Sequence, residues 1–372
     1  MKTALIYTDD YTRYDYGPQH PLRMERLKLT YDLIEAYGLT RLPAAQVLAP
    51  DKPDEEQLLG YHSREYLEVL RAASAGLAVP AAYRFGLGPG DNPIFPGMYD
   101  VSCLAVGGSL LAARLVASGE AARAFSFAGG LHHAFPDRAS GFCYLNDAVV
   151  AIQSLVGQGL RVCYVDIDAH HGDGVQHAFY RDPRVLTIST HERGDRLFPG
   201  TGFVDELGEG PGRGYAVNLP LQPSTDDEVY LEAFEAVIPP LIEALKPDVV
   251  VAQLGIDSHR TDPLTHLALT VNGFAQALRR ILDLSPRLVA LGGGGYDLAN
   301  VARAWTIAWG LMNGIELPNE LPPTFRPASR FRAAALWDSP HREPDEPRRW
   351  AREFAVHQVQ RIRETIFPLL GR

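Results

Sequence analysis

The stretch from Arg161 to Gly174, RVCYVDIDAHHGDG, changes character partway along. Val162, Tyr164, Val165 and Ile167 make a short apolar run of β-type residues, long enough for a buried strand. Asp166, Asp168, His170, His171 and Asp173 then crowd its end, with Gly172 and Gly174 among them. Gathering carboxylates and imidazoles at the end of a buried strand is unfavourable unless a cation or hydrogen bonds compensate. On an extended backbone Asp166, Asp168 and His170 point the same way. Oxygen and nitrogen ligands at that spacing suit zinc or a similar divalent metal. The alternative is a strand that ends in a solvated polar loop, but clusters of titratable groups more often mark sites.

Further signals stand at other strand ends. The pair His132–His133 follows Gly129–Gly130 after a short strand at 124–128, and Asp257 follows the apolar run VVVAQL at 249–254. Tyr296 follows a strand at 288–291 and four glycines, Gly292 to Gly295. Strands at 4–7 and 185–190 complete the set. Helical periodicity covers 21–37, 54–76, 101–117, 147–157 (with Asn146 as its cap) and 271–282. A Thr225-x-x-Glu228 capping box opens another helix, which Pro239–Pro240 must break or kink. Strands alternating with helices predict an α/β fold: a parallel sheet with helices on both faces. Ligands of such sheets bind beyond the carboxyl ends of the strands, where all four signals fall.

Two loops stand out. Residues 80–96 are rich in Gly and Pro, and Asp91 within them reads as a turn former. The Gly-rich ERGDRLFPGTGF carries Phe198. Past Leu317 the chain turns Pro- and Arg-rich before a helical stretch at 350–370. The expected organisation is a main domain over 1–316 and an extension over 317–372 that packs on it or on another subunit.

Composition narrows the function. The chain has 372 residues, 46% hydrophobic and 22% charged, which is ordinary for a globular protein. Its net charge of −10 argues against sequence-independent binding of nucleic acid. No long uninterrupted apolar run and no signal-peptide pattern is read, so neither a membrane span nor a leader is expected. Cys103, Cys143 and Cys163 lie far apart, which predicts a disulfide-free cytoplasmic protein without a cysteine metal site.

Taken together, HPLRMER, GGLHHA, ASGFCYLND, VDIDAHHGDGVQHAF, GIDSHRTDPLTHL and LGGGGY resemble, in order, the zinc-dependent histone deacetylase family. The likeness is to its class I-like branch and the bacterial acetoin-utilisation proteins, and GIDSHRTDPLTHL looks more like the latter. It implies a three-layer arginase/deacetylase-like α/β fold with a mostly parallel central sheet. It also implies a hydrolase that removes acetyl or related acyl groups from lysine side chains of proteins or peptides. Zinc would be held by Asp168, His170 and Asp257, and iron(II) or cobalt(II) would suit the same ligands. By the same resemblance His133 is the general base, His132 its electrostatic partner, Asp173 and Asp166 orient the two imidazoles, and Tyr296 donates to the oxyanion. Gly141, Phe142 and Phe198 would wall a narrow acyl-lysine channel, with Asp91 and Leu264 at its rim and Arg26 in an internal acetate-release cavity. A structural potassium would rest on Asp166, Asp168, His170 and Ser189.

The chain departs from the family pattern at Phe135–Arg138 and at Ile256, which bear on rim and cavity shape, and Glu25 occupies a neighbourhood where eukaryotic members are basic. Two alternatives stay open: a deacetylase of small acetylated amines or polyamines, and a non-catalytic acyl-lysine binding module. Homo-oligomerisation is left open; no nucleic-acid or membrane partner is expected.

Overall fold

A computed structural model describes residues 1–88, 90–327 and 330–371. Its strands are β1 (Thr3–Ile6), β2 (Ala45–Leu48), β3 (Arg123–Ser126), β4 (Val162–Asp166), β5 (Val185–Glu192), β6 (Ala216–Leu221), β7 (Val249–Gln253) and β8 (Leu288–Leu291). They form one eight-stranded sheet in the order β2-β1-β3-β8-β7-β4-β5-β6, parallel throughout. Between them run α1 (Glu25–Ala36), α2 (Glu55–Leu59), α3 (Arg64–Ser74), α4 (Met98–Ala117), α5 (Asp147–Gly157), α6 (Asp173–Phe179), α7 (Asp227–Leu245), α8 (Val271–Leu284), α9 (Leu298–Met312) and α10 (Asp345–Thr365).

The central strands β4 and β7 are apolar up to their last residues, Asp166 and Gln253, because both faces are covered. Val162 and Tyr164, like Val249 and Val251, pack under α4, α5 and α6. Cys163 and Val165, like Val250 and Ala252, face α1, α7, α8 and α9 instead. Each valine among them contributes roughly 1.5–3 kcal/mol by leaving water. Helix α4 is long and apolar enough, by composition alone, to cross a membrane, a feature absent from the sequence-based expectations. Its residues are 72% buried in this fold, so it serves as a core helix.

Several sequence expectations are corrected. Strands β2 and β6 were not foreseen; β2 is a short, partly exposed edge strand with little apolar signal. The periodicity over 54–76 is two helices, capped separately by Asp54 and Ser63. The N-cap of α7 is Asp226, whose side chain accepts from the Val229 N–H, while the Thr225 hydroxyl donates back to the Gln222 carbonyl. Helix α7 also runs unbroken through Pro239 and Pro240. Pro240 cannot donate to the Ala236 carbonyl, and Arg363 from α10 supplies a guanidinium N–H there at 3.2 Å. Residues beyond Leu317 share the main core: Phe325, Leu336, Ala351, Ala355 and Ile362 pack with α7, α8 and α9.

Candidate active site

The sheet order makes β3, β8, β7 and β4 consecutive neighbours. Their carboxyl ends therefore bring His132–His133, Tyr296, Asp257 and Asp168–His170 to one place.

Strand β4 ends at Asp166, so strict alternation of side chains does not extend to Asp168 and His170, contrary to the expectation from sequence. Asp166 Oδ1 accepts from the Asp168 N–H at 3.1 Å, and Asp168 Oδ1 accepts from the His170 N–H at 2.9 Å. These side-chain-to-backbone turns separate the carboxylates. Asp166 faces His132 and the Tyr164 hydroxyl. Asp168 turns instead to His170, whose Nδ1 lies 3.2 Å from Asp168 Oδ1 and 2.9 Å from Asp257 Oδ2.

Asp168, His170 and Asp257 are buried, and one ligand atom from each lies within 4.8 Å of the others. Hydrogen bonds fix both carboxylates. Asp168 Oδ2 accepts from Gln253 Nε2 and from the Gly294 N–H, each at 2.7 Å, and Asp257 Oδ1 accepts from the Ala169 N–H at 2.8 Å. Gly294 is required here: a Cβ would sit 2.1 Å from Asp257 Oδ2. Burial and the Asp168 charge push the Asp257 carboxyl up to about 6. Against its own burial, the field of Asp257 and Asp168 pulls the His170 pKa well above that of a free imidazole. A pocket that draws a proton so strongly fits a divalent cation with three N/O ligands.

The two histidines of the pair differ electrostatically. His132 Nδ1 meets Asp166 Oδ2 at 2.8 Å, and His133 Nδ1 meets Asp173 Oδ1 at 2.7 Å. Burial opposes charge on both. For His132 the nearby Asp166 and Asp168 outweigh it, raising the pKa to about 9. For His133 burial dominates and the charge of His132 adds to it, lowering the pKa to about 4. At neutral pH His132 is thus a cation and His133 a neutral imidazole, their Nε2 atoms 3.0 Å apart.

Tyr296 completes this wall. Its backbone N–H donates to Asp262 Oδ2 at 2.8 Å, and its ring stands edge-on to Phe142 at 5.7 Å and to His170 at 6.5 Å. Burial and the surrounding carboxylates hold the phenol protonated, and its hydroxyl bonds to no other described residue.

Gly141 and Phe142 both adopt positive φ, 51° and 69°. A Cβ at Gly141 would come within 2.5 Å of the His133 ring and 2.8 Å of Phe198, so this turn brings the loop hard against both. Phe198 stands edge-on to His133 at 5.0 Å and is 42% exposed. Asp91 and Leu264 line a mouth of about 620 Å³ with Tyr16, His20 and Phe142. Arg26 is buried behind Tyr296 beside an inner cavity of about 20 Å³, donating to the Gly293 and Gly295 carbonyls at 2.8 and 3.1 Å. Ser189 pairs with Asp166 across β4 and β5, and its hydroxyl meets His191 Nδ1 at 2.8 Å.

Sequence reasoning missed the residues that brace these loops. Asp147 accepts from the Gly130 and Leu131 N–H groups at 2.9 and 2.8 Å, and Asn146 Nδ2 donates to the His132 and Ala134 carbonyls at 3.1 and 3.0 Å. One dipeptide thereby fixes the backbone on both sides of the histidine pair, while Asn146 still caps α5. Gln253 holds Asp168 and the Gly130 carbonyl together. Its signal was present: an amide ends a strand that is otherwise all apolar.

Comparison with known proteins agrees with this layout. The model of the histone deacetylase domain matches residues 20–312. The chain is 42% identical over 329 residues to acetoin utilization protein AcuC of Bacillus subtilis (strain 168), covering 86% of this chain and 84% of that protein. It is 40% identical over 324 residues to histone deacetylase 1 of Homo sapiens, covering 86% of this chain and 66% of the human protein. The crystal structure of a histone deacetylase homologue from Aquifex aeolicus superposes with a TM-score of 0.88 at 32% identity, covering 97% of this chain and all of that one.

Proposed function

The chain belongs to the histone deacetylase family, and from that premise we propose that it is a zinc-dependent hydrolase removing acetyl groups from lysine side chains of proteins or peptides. One observation carries the reading. A neutral imidazole on Asp173 and an unengaged phenol flank the buried Asp168–His170–Asp257 group at the foot of an aromatic channel.

Asp168, His170 and Asp257 would hold the ion and leave a position open. When bound, zinc would supply Lewis acidity to the amide carbonyl and bring the pKa of a water towards about 7. His133 Nε2 takes the proton of the attacking water and returns it to the departing amine; Asp173 fixes the tautomer that keeps the lone pair on Nε2, beside the His132 N–H. His132, held cationic by Asp166, keeps His133 neutral until then and steadies the negative charge that develops. The Tyr296 hydroxyl donates to the oxyanion. Phe142 and Phe198 bracket the aliphatic lysine stem, and Asp91 at the rim meets the substrate backbone. Arg26 would receive the departing acetate in the inner cavity.

The open hollow lined by Asp91, Leu264 and Phe142 would give a peptide substrate room to lie against the rim. The potassium implied by the resemblance would rest on backbone groups of Asp166, Asp168 and His170 with Ser189, which pairs with Asp166 across β4 and β5.

The test is hydrolysis of an Nε-acetyl-lysine peptide by the purified protein before chelation, after it, and after zinc is returned. Activity that disappears with the metal and returns with zinc supports the reading. Metal-loaded protein that releases no acetate from peptides or from acetylated amines overturns it in favour of a binding module.

A further inference from the structure

The loop from Ile256 to Asp262 serves the site twice. It carries Asp257, and through Asp262 it holds the Tyr296 backbone. The loop is closed internally: the Thr265 hydroxyl donates to the Asp257 carbonyl, and the Asp262 N–H donates to the His259 carbonyl at 2.8 Å. Between the two acids, His259 points away from the metal group and is buried.

Its partners lie both inside the loop and beyond it. His259 Nδ1 receives the Thr261 N–H at 3.2 Å and Asn300 Nδ2 at 2.9 Å. With Nδ1 accepting, the ring proton sits on Nε2, which donates to Asp338 Oδ2 at 2.9 Å. The same oxygen accepts from the Val271 N–H at 2.9 Å, and Oδ1 accepts from Arg303 Nη1 at 2.8 Å. Arg303 in turn donates to Asn300 Oδ1 at 2.7 Å. Burial works against the Asp338 charge, but His259, the Val271 N–H and Arg303 outweigh it and hold the carboxyl well below the usual range.

Asp338 belongs to the segment past residue 312, where the match to the family model ends. Independent bonds pin that segment. Leu336 is buried, and the Trp337 N–H and indole Nε1 donate to Asn319 Oδ1 at 2.8 Å and to the Leu317 carbonyl at 2.9 Å. One carboxylate from the C-terminal segment therefore joins the loop of Asp257, the start of α8 and the first turns of α9.

We propose that Asp338 is a positioning residue for the metal group and for Tyr296, acting through His259, so that the C-terminal segment is part of the catalytic unit. The inference rests on the reading of the site as a metal-dependent deacetylase. Loss of the Asp338 charge frees His259 and lets the loop between Asp257 and Asp262 relax, which displaces one metal ligand and the oxyanion donor together.

The test uses full-length Asp338→Asn with two readouts: kcat and KM on an acetyl-lysine peptide, and zinc affinity by competition with a chromophoric chelator. The expected result is a kcat about tenfold lower, a KM within about twofold, and zinc affinity about tenfold weaker. His259→Leu should reproduce these losses, while His259→Gln, which keeps a donor for Asp338, should lose less. Leu115→Ala opens the core under α4, away from this network, so it should lower Tm and leave kcat and zinc affinity unchanged. The proposal is overturned if folded Asp338→Asn keeps wild-type kcat and zinc affinity, or if Leu115→Ala loses both as Asp338→Asn does. Should Asp338→Asn fail to fold, His259→Leu decides on the same readouts. Wild-type protein that binds zinc but turns over no acetylated substrate refutes the proposed reaction, while the zinc affinities still decide the role of Asp338.

Discussion

Replacing Tyr296 by Phe deletes one hydroxyl, and its effects on stability and on turnover should separate. That hydroxyl belongs to a half-buried side chain, is held protonated, and bonds to no described residue. The backbone bond to Asp262 and the ring contacts with Phe142 and His170 survive the change. Removing a donor that has no protein partner and is not sealed from solvent should leave stability within about 0.5 kcal/mol of wild type. Turnover is another matter. A single oxyanion donor is worth about 3 kcal/mol, so kcat should fall roughly 100- to 1000-fold. Phe142 and Phe198, the walls proposed for the lysine stem, are untouched, so KM should stay within about threefold. The assay is initial rates on an acetyl-lysine peptide, with Tm and bound metal measured on the same preparation. A kcat retained within about threefold would refute the assignment of Tyr296. So would a fall in kcat matched by lost metal or a lowered Tm, since the hydroxyl would then be structural. A protein that only binds acyl-lysine would show no turnover to lose in either form.

The hydrogen-bond geometry leads to two further outcomes. Asp173→Asn keeps an oxygen near His133 Nδ1 but offers an N–H as well, so the tautomer with a free Nε2 is no longer enforced; kcat should drop about 10- to 100-fold at neutral pH, read from steady-state rates. His62 is a probe of acid stability remote from the metal group. Its Nε2 accepts from the Asn146 N–H at 3.0 Å, and burial lowers its pKa from 6.5 to about 4. Between those values the unfolded chain binds the proton and the folded chain does not, so stability falls as pH drops through this window. The full contribution is about 3 kcal/mol. Denaturant unfolding at several pH values should show this loss, shallower in His62→Gln; an unchanged slope would show that His62 does not control it.

How much of the fold and site was legible from sequence depends on where each signal lay. The α/β class could be read because strands buried on both faces are near-continuous apolar runs, as in VVVA, and amphipathic segments alternate with them. Helix α7 shows where local rules stop. Two prolines argue for a break, yet α10, over a hundred residues away in sequence, supplies the hydrogen bond that one of them removes. The residues of the site were legible because charged and imidazole side chains at the ends of apolar runs are conspicuous: Asp168, His170, His133 and Asp257 could be picked out one by one.

What the sequence by itself determined was therefore the set of reactive groups and the kind of scaffold, since residue type and periodicity are local properties. Only the tertiary structure decided which groups meet. The order β3-β8-β7-β4 arises from long-range pairing that no local pattern encodes, and it alone brings four distant strand ends together. It also decided the protonation of the histidine pair. His132 and His133 are adjacent and chemically identical, and they differ because one reaches Asp166 and Asp168 while the other is dominated by burial. The braces, Asn146, Gln253, Asp338 and His259, were the least legible. A buried amide or carboxylate has meaning only through its partners, and folding supplies those.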